Sequence, residues 1–150
     1  LDFATGSGLV AIAAAKAGAA HVTAADIDPY CEPAVALNAA LNGVAIACES
    51  RDLVGAPVDA DVLLAGDVFF DREMSAALVP WFEMLAGSGV SILVGDPGRA
   101  YLPRERLSLV TSYEVPVTRA LEDAEVKKTS VWRLEPFRTI GFESVEKVVA

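Results

Sequence analysis

A doubly wound α/β domain on a mostly parallel sheet is the fold class this sequence predicts, and three observations predict it. Short apolar runs alternate with helical patterns over the first hundred residues, the order in which βαβ units stack. A glycine-bearing turn, "DFATGSGLVA", joins the first apolar run to the first helical pattern. Beyond "GVSILVG" the alternation stops, and two late strand-like runs follow with no long helical crossover between them.

Taken in order, Leu1 to Phe3 reads as the end of strand one and Leu9 to Ala17 as a helix. "HVTAAD" is strand two. The second helix runs to Asn42: Pro29 stands where a first turn tolerates proline, and Ala34, Leu37 and Leu41 recur at helical spacing. "GVAIAC" and "ADVLLAG" supply strands three and four, a helix spans Met74 to Leu85, and "GVSILVG" is a buried strand five. The loop from Pro97 to Arg106 leads to "LSLVTSYEV" and "TSVWRLE", read as an antiparallel pair joined by a charged segment. The total is seven strands in a single domain spanning residues 1–150, with no internal repeat or linker.

Composition bounds the function. With 53% hydrophobic and 22% charged residues the chain can bury a core and is not a disordered segment. Much of the apolar fraction is alanine, and the most apolar stretch, Leu9 to Ala25, is interrupted by Lys16, Gly18 and His21, so no membrane span is expected. A net charge of −9 argues against a nucleic-acid partner, because only "EVKKTS" brings two lysines together. Cys31 and Cys48 are too few for a disulfide framework and lack metal-site spacing, so they read as ordinary thiols of a reducing, cytoplasm-like compartment, and no metal is expected.

The chemistry-bearing residues fall at the predicted carboxyl ends of the strands. Gly6 and Gly8 let backbone amides approach a ligand, and the helix that follows presents its positive end. Such a turn suits a nucleoside cofactor, although glycine turns of this kind also occur as plain structure. Asp26 ends strand two, near the spacing at which an acid meets a ribose hydroxyl. Asp67 in "AGDVFFD" and Asp96 with Arg99 in "GDPGR" lie on further carboxyl-edge loops, and Asp71 is placed to cap the third helix.

Together "LDFATGSG", "ADIDP", "LNAALN", "AGDVFFD", "GDPGR" and "TSVWRLEP" resemble the class I S-adenosylmethionine-dependent methyltransferases. More narrowly, they are similar to the lysine methyltransferases that modify the β-subunit of electron transfer flavoprotein. The first two motifs are generic to the superfamily; the later ones are specific to this subgroup. The resemblance covers roughly residues 1 to 135. It implies a Rossmann-like seven-stranded sheet with the N-terminal helix and the start of strand one absent from this chain, a protein substrate, and location in the cytoplasm. The alternative location is the mitochondrial matrix, if a transit peptide precedes the sequence.

Carried onto these residues, the resemblance implies that Asp2 and the turn Ala4, Thr5, Gly6, Ser7 and Gly8 cradle the methionine part of S-adenosyl-L-methionine. Asp26 would hold the ribose, Ile27 would pack on the adenine and Asp52 would meet its amino group. Asp67 would orient the target amine and Phe70, where relatives often carry tyrosine, would offer it a cation–π face. Asp96, Arg99 and Trp132 are the substrate-side candidates, with Arg99 placed either to hold an acidic group of the substrate protein or to brace its own loop, and Trp132 read in preference as sheet packing. Competing readings are a methyltransferase with a small-molecule or ribosomal-protein substrate, a nicotinamide-dependent oxidoreductase using the same turn, and a cofactor-binding domain without catalysis. The oxidoreductase would need a proton-transfer residue and usually a substrate domain, and neither is visible.

Overall fold

The computed structural model describes residues 1–116 and 126–135. Five strands alternate with three helices: β1 (Asp2–Phe3), α1 (Leu9–Lys16), β2 (Thr23–Ala25), α2 (Cys31–Asn42), β3 (Ala47–Glu49), β4 (Val62–Gly66), α3 (Arg72–Gly87) and β5 (Ser91–Asp96). A short 3-10 turn at Arg104–Arg106 leads into β6 (Leu107–Pro116), and β7 (Val126–Leu134) completes the sheet. Most of the charged segment read between the last two strands, residues 117–125, lies outside the described residues.

The strands form one sheet in the order β3-β2-β1-β4-β5-β7-β6. Every pairing among the first five strands is parallel, whereas β7 runs antiparallel to both β5 and β6. The order reverses at β1, which has β2 on one side and β4 on the other. That reversal opens a crevice at the carboxyl ends, the place where open α/β sheets receive ligands.

Each face is covered for a reason visible in side-chain size. Helix α3 buries Leu78, Trp81, Phe82 and Leu85, a stripe of three- and four-residue spacing. Burial of each contributes about 2 kcal/mol. Phe3 meets the Trp81 ring edge-on at 4.9 Å, and the indole Nε1 donates to the Ala56 carbonyl at 2.7 Å. On the glycine-turn side the packing is finer, with Ala11, Val22, Ala24 and Val35 forming a second small core. The buried residues of α2 are Val35 and Ala39, while Leu37 and Leu41 are exposed, which corrects the expected helix face. A close approach between α2 and the glycine turn leaves room for small side chains, so the larger leucines turn outward.

Asp71 caps α3, its carboxylate accepting the Met74 N–H at 2.8 Å, a contact worth about 1 kcal/mol. No helix among the described residues is long and apolar enough to cross a membrane.

Candidate active site

The glycine turn is shaped by carboxylates that accept backbone amides. Buried Asp2 takes the Thr5 hydroxyl at 2.5 Å and the Ala11 N–H at 2.9 Å on one oxygen, tying strand, turn and α1 together. Burial pushes the Asp2 carboxyl up, and these two donors only partly offset it. Asp2 thereby braces the cradle through one carboxylate oxygen. Asp26 accepts Gly6 N–H at 2.9 Å and Asp28 N–H at 3.0 Å, one on each oxygen. Burial alone would raise Asp26, but these amides, with Cys31 and Ile27, hold its carboxyl below the usual range. Asp26 is only partly buried, so its remaining lone pairs face outward.

Gly6 and Gly8 both take positive φ, 55° and 85°. A Cβ on Gly8 would stand 3.1 Å from a Val35 methyl, whereas one on Gly6 would meet open space. Gly8 is thus a packing glycine and Gly6 faces the crevice. Ala4 is left-handed as well, at φ 54°, and Ala4 and Ser7 are exposed. Asn38 Nδ2 donates to the Ser7 carbonyl at 2.8 Å, and Asn42 Nδ2 donates to the Asn38 carbonyl at 2.9 Å. This gives the asparagines of "LNAALN" a physical role: they pin the turn from the neighbouring helix.

Beside Asp26 a narrow cleft is lined by Thr5, Cys31, Val35, Cys48, Glu49 and Ser50. Asp52 is not among them; its carboxylate accepts the Val54 N–H in an exposed turn. Glu32 and Glu49 reach the cleft beside Asp26, and Glu49 is held by Arg51 through contacts of 2.6 to 3.0 Å and lowered to about 2 by that partner. Glu49 pairs with Ala25 at the strand tips, and Asp52 lies beyond the end of β3. Cys31 is pushed up to about 11, by burial first and then by its hydrogen bond to Asp26.

Across β1 lies the second half of the site. Asp67 follows the last residue of β4 in the left-handed region, φ 55°, with its N–H donating to the Gly95 carbonyl at 2.7 Å. Its two oxygens accept Arg99 Nε and a terminal Arg99 nitrogen at 2.6 and 2.7 Å. The Arg99 guanidinium thus forks onto Asp67, the bracing reading of this loop, with its side chain 40% exposed. Asp96, 1% exposed, spends Oδ1 on the Gly98 and Arg99 amides at 2.6 and 2.7 Å, while Oδ2 is buried with no hydrogen-bond partner. Asp96 is accordingly a loop anchor and not a surface contact for substrate.

Phe69 is core, whereas Phe70 is 57% exposed beside Asp67. Trp132 is corrected from a substrate-side residue to a sheet residue. It pairs in register with Val94 and Leu109, packs on the main core and carries the Arg104 guanidinium 5.6 Å above its ring. Among the described residues no group of acids, cysteines and histidine could hold a metal ion. A cavity of about 830 Å³ is lined by Leu1, His21, Asp59 and Asp61 and extends to Glu49 and Arg51.

The sheet order, the glycine turn and the acid at the second strand tip agree on the architecture: the chain has the fold of the class I methyltransferases. The ribosomal protein L11 methyltransferase (PrmA) family matches residues 1–66. Along most of the chain the relatives are electron transfer flavoprotein β-subunit lysine methyltransferases. That of Danio rerio is 34% identical over 89% of this chain and 54% of its own length, and that of Xenopus laevis is 32% identical over 91% and 58%. The chain thus spans just over half the length of these relatives. Among solved structures, a ribosomal protein L11 methylase from Lactobacillus delbrueckii subsp. bulgaricus superposes with a TM-score of 0.57 at 24% identity, covering 89% of this chain and 68% of that one.

Proposed function

We propose that this chain forms the cofactor-binding and catalytic domain of a protein-lysine N-methyltransferase that uses S-adenosyl-L-methionine, with electron transfer flavoprotein β-subunit as substrate. The observation that carries the reading is the continuity of the match to those lysine methyltransferases, which runs past the glycine turn into the loops bearing Asp67 and Arg99. The residues present fit the cofactor. An outward-facing Asp26, an open Gly6 and an exposed Ile27 offer hydroxyl acceptors, backbone approach and an apolar surface to a nucleoside.

When bound, the cofactor supplies a methyl group on a positively charged sulfur. The turn Ala4 to Gly8, Asp26 and Ile27 would hold it, with Asp2 fixing the turn. A free lysine has a pKa of about 10.4, so roughly one in 2,500 is neutral at pH 7, and the amine must shed a proton before it attacks. Asp67 would then accept an amine hydrogen and aim the lone pair, and it would stabilise the positive charge that grows on nitrogen as the carbon–sulfur electron pair passes to sulfur. Phe70 offers that charge an aromatic face.

A second reading, methylation of a ribosomal protein, is favoured by the PrmA match to residues 1–66. Both are tested by incubating the protein and labelled methyl donor with purified electron transfer flavoprotein and, separately, with ribosomal proteins. Label on a β-subunit lysine is expected; label on ribosomal protein alone selects the second reading, and label on neither removes both.

A further inference from the structure

We propose that Arg99 is a positioning residue that neutralises Asp67, so that this carboxylate can orient the target amine without keeping it protonated. The inference rests on the lysine-methyltransferase reading above. A bare carboxylate beside an amine raises the amine's pKa, commonly by one to three units. Asp67 alone would thus oppose the proton loss on which attack depends.

The geometry supplies the remedy. Arg99 Nε and a terminal nitrogen reach separate oxygens of Asp67 at 2.6 and 2.7 Å. The guanidinium does not lose its proton at any working pH, so Asp67 carries its countercharge throughout. Each carboxylate oxygen accepts more than one donor, which leaves Asp67 able to take the amine as well. Both side chains are substantially exposed, 40% and 46%, and pairs of that kind contribute little to folding.

Yet the arrangement is held more firmly than a surface pair requires. Buried Asp96 grips the Gly98 and Arg99 amides, Gly98 adopts φ 100° to make the turn, and the Asp67 N–H is tied to Gly95. The charged groups along this edge include Arg99 and Asp96 from the loop after β5, Asp71 at the start of α3, Asp2 and Asp26 across β1, and Glu49, paired with Arg51, at the tip of β3. Asp2, Asp26, Asp71 and Asp96 all accept backbone amides, and of these groups Arg99 is the one bonded to the Asp67 carboxylate.

The test is the pH dependence of kcat, which reports ionisations in the bound complex, for methyl transfer from pH 6.5 to 10 on the acceptor lysine that the wild-type protein labels, in Arg99→Gln, Arg99→Lys, Asp67→Asn and the Arg99→Gln/Asp67→Asn pair. In Arg99→Gln the rise in rate should move to higher pH by about one unit, giving a loss of about tenfold at pH 7 that shrinks as pH is raised to 10. Arg99→Lys keeps the charge and should retain the wild-type profile with a lower plateau. In the double variant the profile should match that of Asp67→Asn, because no carboxylate remains to neutralise. An Arg99→Gln loss of equal size at every pH, or an unmoved profile, overturns the proposal while leaving the lysine-methyltransferase reading intact. Absence of lysine methylation by wild type at every pH removes that reading and this inference with it.

Discussion

The two halves of the site are held by different means. Around the glycine turn, Asp2 and Asp26 accept uncharged backbone amides, most of them within ten residues in sequence and one twenty away. Across β1, Asp67 is held by a charged partner 32 residues away, on a loop that a third carboxylate anchors. The first half is a rigid cradle whose parts define one another locally. The second is an exposed ion pair brought together by the tertiary fold, of a kind that contributes little to folding.

Substitutions that separate charge from shape should break this contrast. The largest expected effect is on turnover: Asp67→Asn, which tolerates the left-handed backbone, should lower kcat by about 100-fold. Donor affinity should stay within threefold by calorimetry, and stability should fall by less than about 1 kcal/mol because the pair is exposed. Asp26→Ala should do the reverse. It orphans two backbone amides and removes the acceptor on the second strand tip, so donor affinity should fall by about tenfold or more and urea stability by about 1 to 2 kcal/mol.

Gly8→Ala meets both a positive φ and a Val35 methyl at 3.1 Å, so unfolding should show a loss of about 1 to 3 kcal/mol. A smaller effect sharpens the comparison within the cradle itself, where the two acids shift in opposite directions from 3.8. The contribution of Asp26 is present above pH 3.8 and should fade as pH falls through its depressed value; Asp26→Asn should lose that slope. Asp2 is raised, so its ionisation should cost stability as pH climbs from 3.8 through the raised value, and Asp2→Asn should gain relative to wild type over that window. Smallest of all, Phe70→Leu should leave stability within about 0.5 kcal/mol, since the ring is exposed. Any fall in turnover there reports on the acceptor.

The strand-and-helix alternation, the antiparallel end of the sheet and the Asp71 cap were legible from periodicity and local chemistry. Less legible were contacts that depend on register. Glu49 at the tip of β3 drew no notice because strand three ends later than the apolar run suggests, and Trp132 is separated from its covering Arg104 by β6 and the segment that follows it. Leu37 and Leu41 matched helical spacing but not the face that small Val35 and Ala39 could bring against the turn.

By itself the sequence determined which residues could bend, cap and accept hydrogen bonds at strand ends, because glycine turns and aspartate caps are short-range chemistry that neighbours enforce. Only the tertiary structure decided what each charge faces. Arg99 lies against Asp67 because β4 and β5 are adjacent and end at the same level, Ala65 beside Val94 and Gly66 beside Gly95, and no spacing along the chain encodes which strands become neighbours.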